Sequence, residues 1–359
     1  MAAAKSNLPG DARIVVAGAG TIGCFVGGLL MRAGRNVGFL GRPRMVEELQ
    51  SCGLHLTDFA GLDEQIPAAR LSVTAEPAIL REARLVLVAV KSGATEAMAR
   101  EIAAQTSPDT VVLSLQNGVD NPAVLRAELD GRPVLAGMVA FNVVHMGEGR
   151  FHRATSGQVV IEAGRPDVTS LLSVPGLGIE TSDNIGGVQW GKLLLNLNNA
   201  LNALSDLPLR RQMESREWRR LFADQMAEGL AVLKAAGIEP VGATAVPPGY
   251  VPAVLRLPDV LFRMAAARML KIDPEARSSM WEDFIRRRPT EVEYLQGAIV
   301  HLAERQGAAA PISKRIVALV KQAEAAGNGS PGLTPEQVRL PSASFPGAGV
   351  ILSGNGFDG

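Results

Sequence analysis

The spacing of hydrophobic positions along this chain changes character once. Up to about residue 115, short unbroken apolar runs alternate with segments of helical period, which predicts a parallel sheet covered by helices. Ile14-Val15-Val16-Ala17, Val37-Gly38-Phe39-Leu40, Leu85-Val86-Leu87-Val88-Ala89-Val90 and Val111-Val112-Leu113-Ser114-Leu115 read as its strands. Residues 134–144 and 157–163, with a turn at Gly147-Glu148-Gly149, read as hairpin strands expected to extend the same sheet. Beyond Gly186-Gly187 the strand signals fade. Helices are predicted over about 188–205, 216–236, 258–270, 278–288, 291–306 and 313–326, with Gly237 and Gly327 as C-terminal stops. The expected organisation is a disordered lead (1–10), a sheet domain (11–185), an all-helical domain (186–329) and a mobile tail (330–359) rich in Pro, Gly and Ser.

The first strand runs into Gly18-Ala19-Gly20-Thr21-Ile22-Gly23 and then into a helical pattern. This is the turn that a dinucleotide pyrophosphate requires. Gly18 supplies backbone freedom, Gly20 lets the phosphates approach the main chain, and Gly23 lets helix and strand pack closely. Free N–H groups at Thr21 and Ile22 and the positive end of the helix dipole face the phosphate charge. The first domain is therefore read as Rossmann-type. About 20 residues on, where a carboxylate would grip the ribose of NAD, the chain has Gly41-Arg42-Pro43-Arg44. A guanidinium there favours NADP(H), the alternative being a solvated arginine pair.

Composition narrows the remaining classes. The 36 basic and 36 acidic residues balance, which argues against nucleic acid or an acidic membrane as partner. Cys24 and Cys52 are the only cysteines, in no metal-ligand spacing, and fit a reducing compartment. The four histidines, His55, His145, His152 and His301, lack metal companions, and no metal is expected. No run reaches 18 apolar residues and the start has no signal-peptide pattern, so a cytoplasmic location is expected.

In open parallel sheets ligands bind beyond the carboxyl ends of the strands. Lys91 and Asn117 follow two such ends and are placed at the same crevice as the glycine turn. In the first helix of the second half, Lys192 and Asn196 are four apart and share a face. That lysine either snorkels to solvent or donates a proton in a cleft. Ser278-Ser279 and Thr290-Glu291 each begin a helix, where capping is the plain explanation.

Taken together these segments resemble the ketopantoate reductase (2-dehydropantoate 2-reductase) family, in order from about Arg13 to Val320. The matching segments are the glycine turn, Val90-Lys91, Gln116-Asn117-Gly118, Trp190-Gly191-Lys192-Leu193, Ser278-Ser279-Met280 and Thr290-Glu291-Val292-Glu293-Tyr294. The resemblance implies NADPH-dependent reduction of a 2-keto acid held between the domains, with Lys192 as general acid and Glu291 as the acidic partner that orients it and the cofactor end of the cleft. It implies substrate contacts at Asn117, Asn196 and Ser279, and Asn199, seven residues beyond Lys192 and still close to its face, is a further substrate candidate by helix position. It implies cofactor contacts at Gly18, Ala19, Gly20, Thr21, Ile22, Gly23, Arg42, Lys91, Asn117, Glu291 and the backbone of Asn142.

The chain departs from the family pattern after Asn196. An asparagine expected eight residues beyond the lysine is Ala200, and Leu207-Pro208-Leu209-Arg210 stands where a further one is sometimes found. A reductase of a different 2-keto acid is thus the nearest alternative. A non-catalytic NADP(H)-binding regulator is the alternative from another class, against which Lys192, Ser279 and Glu291 all speak. The expected partner is a small keto acid, with a homodimer as candidate assembly.

Overall fold

The computed structural model describes residues 8–242, 246–266 and 275–339. In chain order the strands are β1 (Ile14–Ala17), β2 (Val37–Leu40), β3 (Leu54–Asp58), β4 (Asp63–Ile66), β5 (Ser72–Thr74), β6 (Leu85–Val88), β7 (Val111–Ser114), β8 (Val134–Val139), β9 (Val143–Gly147), β10 (Arg150–Arg153), β11 (Val159–Glu162) and β12 (Ile179–Ser182). Eight of them form one sheet in the order β12-β11-β8-β7-β6-β1-β2-β5, parallel except where β11 pairs antiparallel with β8. β1, β2, β6 and β7 are buried along their whole length, as a sheet covered on both faces demands. The covering helices are α1 (Thr21–Arg32), α2 (Pro43–Cys52), α3 (Thr95–Gln105), α4 (Asn121–Glu128) and α5 (Pro166–Leu172).

The hairpin departs from expectation. β8 and β11 do extend the main sheet, but β9 and β10 join β3 and β4 in a separate four-stranded sheet, ordered β4-β3-β10-β9. The reason lies in α1, which is apolar all round and buried from Gly23 to Met31. Such a helix needs cover on its outer side as well. Leu54, Leu56 and Phe151 of the small sheet provide it, so closely that a Cβ on Gly28 would stand 2.6 Å from Leu54 Cδ2.

The second half is helical: α6 (Ile185–Asn196), α7 (Asn198–Ser205), α8 (Leu209–Glu214), α9 (Arg216–Ala235), α10 (Val251–Arg256), α11 (Asp259–Ala265), α12 (Ser279–Ile285), α13 (Val292–Arg305), α14 (Pro311–Ala326) and α15 (Pro335–Arg339). These pack around one apolar core that runs from Trp190 to Val338. The helix expected over 188–205 starts earlier, where Asn184 caps Gly187, and divides at Leu197. α8 and α10 are too short to show a period. Of the helix expected over 258–270, residues 267–270 lie outside the described residues.

Residues 330–339, expected to belong to a mobile tail, are instead packed. Leu333 and Val338 are buried in the helical core, and the Leu333 N–H donates to the Leu204 carbonyl at 2.8 Å. Two apolar residues and the Arg339–Asp224 pair suffice to dock so short a segment. The rest of the expected tail (340–359) and residues 1–7 of the expected lead lie outside the described residues. Among the described residues no helix is long and apolar enough to cross a membrane.

Candidate active site

The glycine turn is built by three different constraints. Gly18 has φ +113°, and a Cβ there would lie 2.6 Å from the Val90 nitrogen. A Cβ on Gly23 would fall 2.2 Å from the Gly18 carbonyl oxygen, so helix and strand meet only because it is absent. Gly20 differs, with nothing within 4 Å of where its Cβ would stand. No side chain caps α1, and the Thr21 and Ile22 N–H groups find no acceptor among the described residues. An open glycine face beside two unpaired donors at a helix N-terminus fits a pyrophosphate. Arg42, exposed at the start of α2, has no ion-pair partner among the described residues.

The strand order reverses direction between β1 and β6, and this reversal opens the crevice beside the turn. α6 closes one side of it. Ile185 and Val188 pack on Ala136 and Met138 of β8, and Gln189 Nε2 donates to the Gly137 carbonyl at 3.0 Å. One turn further along α6, Lys192 meets the next carbonyl on that face of the strand: its Nζ donates to Val139 O and, at 3.2 Å, to Asn117 Oδ1. Gly191 permits this placement from behind, since a Cβ there would lie 1.8 Å from the Val241 carbonyl oxygen. Lys192 is half-buried, and desolvation pushes its ammonium down from 10.5 to about 8, against the opposing influence of the Glu291 carboxylate.

Glu291 sits just before α13 and makes no ion pair with Lys192. Its Oε1 accepts from Ser92 Oγ at 2.9 Å and from the Ser92 N–H at 3.1 Å. Beside it, Lys91 Nζ donates to Asp283 Oδ1 at 2.6 Å and to the Pro289 carbonyl at 3.1 Å. Burial raises the Asp283 carboxyl above its ordinary range, with the Lys91 charge opposing that rise. Both halves of the chain therefore meet directly over the carboxyl ends of β6 and β7.

Asn117, Lys91, Lys192 and Glu291 are thus brought together. Asn196 and Asn199 are half-buried, and their side chains make no hydrogen bond among the described residues. Ser279 is exposed in the first turn of α12, while Ser278 is the residue that caps it. Asn142 stands apart. Its N–H donates to Thr155 Oγ1 and its carbonyl accepts from Ala154 N–H, so both main-chain groups are engaged. Ser92, Asp283 and the Val139 carbonyl were not among the residues singled out from sequence. Two of them carried a signal: Ser92 follows Lys91 at a strand end, and Asp283 lies four residues beyond Ser279 on one helix face. Among the described residues no group of His, Cys, Asp and Glu could hold a metal ion.

A family model described as ketopantoate reductase PanE/ApbA matches residues 14–166, and one for the C terminal part of that family matches residues 184–324. A 2-dehydropantoate 2-reductase of Halobacterium salinarum is 29% identical over 87% of this chain and 99% of its own length. Among solved structures, a PanE/ApbA family ketopantoate reductase from Ralstonia eutropha is 31% identical, covers 88% of this chain and 99% of its own, and superposes with a TM-score of 0.75. A D-mandelate dehydrogenase, solved with NADH and anilino(oxo)acetate, shares the fold at 22% identity and a TM-score of 0.71, over 88% of this chain and 99% of its own.

Proposed function

The chain is an oxidoreductase that belongs to the ketopantoate reductase family, and on that premise we propose that it reduces 2-dehydropantoate to pantoate with NADPH, Lys192 delivering the proton. The observation that carries this reading is the Lys192 ammonium, held by Asn117 Oδ1 and Val139 O at the carboxyl end of the sheet. A bound nicotinamide would supply the hydride to the keto carbon. The developing alkoxide then needs a positive charge and a proton at one place. Lys192 offers both: its charge favours the alkoxide, and an ammonium near 8 releases its proton readily at neutral pH.

The remaining roles follow position. Gly18 to Gly23 take the pyrophosphate, and Arg42 takes the 2′-phosphate that distinguishes NADP(H). Lys91 and Glu291 border the cofactor end, Asn117 lies between cofactor and substrate, and Asn196, Asn199 and Ser279 offer uncommitted polar groups to the substrate's carboxylate and hydroxyl. The backbone of Asn142 would reach a cofactor only by giving up its present partners. We also propose two domains divided near residue 185, a homodimer and a cytoplasmic location.

A second reading, reduction of another 2-keto acid, is favoured by one observation. Ala200, where the family pattern has asparagine, is fully buried in the helical core and offers the pocket no polar group. Absorbance of NADPH and NADH with 2-dehydropantoate and a panel of branched, aromatic and hydroxylated keto acids decides between the two. Higher catalytic efficiency with another acid than with 2-dehydropantoate removes the specific substrate. Cofactor binding without turnover on any acid removes the reductase reading.

A further inference from the structure

Under the cleft lies a row of buried polar side chains that the reaction itself does not use. Ser92, Thr95, Gln116 and Asn121 are all less than 10% exposed. Gln116 Nε2 donates to Thr95 Oγ1 at 2.6 Å, and Thr95 Oγ1 donates to Asn121 Oδ1 at 2.7 Å. Asn121 Nδ2 donates in turn to Ser92 Oγ at 3.0 Å and to the Asn117 carbonyl at 2.6 Å.

The row therefore has a direction. Ser92 Oγ has one proton and two acceptors in reach, Glu291 Oε1 at 2.9 Å and the Asn117 carbonyl at 3.3 Å. The carboxylate is nearer and charged, and it takes the proton. With the Thr95 hydroxyl given to Asn121 Oδ1 at 2.7 Å rather than to the Ser92 carbonyl at 2.9 Å, one path of donors runs from Gln116 to Glu291, and in a buried site such a sequence strengthens its terminal bond.

We propose that Ser92 and Asn121 are positioning residues for this reduction: they hold the Glu291 carboxylate on the nucleotide side of the cleft, where it favours the Lys192 ammonium without closing an ion pair that would keep that ammonium from substrate. The inference rests on the reading of Lys192 as proton donor. Its basis is that Glu291 acts on Lys192 through its charge while its Oε1 is bonded to Ser92. Lys91 and Asp283, beside Glu291, are paired with each other, and Arg288 also acts on Asp283 through its charge. Asn121 also fixes the main chain of Asn117, whose side chain receives Lys192. One asparagine thereby bears on Asn117 directly and on Glu291 through Ser92.

The test is a titration of the full chain carrying ¹³Cε-lysine, with the Lys192 resonance assigned by its loss in Lys192→Met. Without the Ser92 hydroxyl, Glu291 keeps only the Ser92 N–H and its carboxylate is freer to swing toward the ammonium, so Ser92→Ala and Asn121→Ala each raise the Lys192 midpoint by roughly half a unit or more. In a Glu291→Gln background Ser92→Ala moves it no further. In turnover, Ser92→Ala lowers kcat roughly tenfold with KM for NADPH within about twofold. A midpoint that stays or falls in Ser92→Ala, or an equal shift in the Glu291→Gln background, overturns the proposal. If Asn121→Ala fails to fold, Ser92→Ala decides alone. The titration needs no substrate, so wild-type chain that turns over no keto acid refutes the reductase reading separately.

Discussion

Lys192 Nζ lies 3.2 Å from Asn117 Oδ1, although the two residues are 75 positions apart and sit on opposite halves of the chain. The lysine reaches the sheet because α6 lies against β8, and the asparagine meets it because β7 ends beside β8. On the proposed reading, this contact would put the proton donor beside the keto carbon that accepts the hydride.

Removing the ammonium should abolish most turnover and little else. Lys192→Ala is expected to lower kcat by at least ~10²-fold, with NADPH affinity changed by less than about threefold. Single-turnover absorbance and a fluorescence titration of NADPH check the two halves of this expectation.

The same lysine is expected to cost stability. Its folded value near 8 lies below the ordinary 10.5, so between these pH values the unfolded chain binds more protons and stability rises with pH. Below about pH 8 the cost of holding the buried charge is fully present. Lys192→Met is therefore expected to melt above wild type at pH 7, with the gain shrinking as pH approaches 10. A gain that grows with pH would contradict this.

Gly20 and Gly23 separate ligand binding from folding. Gly20→Ala meets open space, so the melting temperature should stay within about 2 °C of wild type while NADPH binding weakens at least ~10-fold. Gly23→Ala meets the Gly18 carbonyl and should lower the melting temperature clearly. Calorimetry of both variants, with and without NADPH, tests the distinction.

Arg42→Ala should weaken NADPH roughly tenfold or more and leave NADH nearly unchanged, because only the former carries a 2′-phosphate. Equal losses for both cofactors would remove that assignment.

The main sheet was legible because β1, β6 and β7 are buried on both faces and so are written as unbroken apolar runs. The small sheet was not: β3 and β4 are rich in polar residues, and the need for them shows only in an α1 without a polar face. Lys91 and Asn117 could be placed from their positions at strand ends. Lys192 could not, since its spacing alone favours snorkelling to solvent; only the family resemblance turned it toward the cleft, and its contacts to Val139 and Asn117 lie across a junction that spacing does not show. Ser92 was missed because its meaning depends on a carboxylate 199 residues away. The packed segment at Leu333 and Val338 shows how few apolar residues can dock a stretch otherwise composed like a tail.

The most direct measurement is kcat/KM for 2-dehydropantoate with saturating NADPH, from pH 6 to 10. A proton donor at Lys192 predicts a plateau on the acid side and a tenfold fall per pH unit above about 8. Activity that stays level to pH 10 would contradict the assignment of Lys192 as the donor.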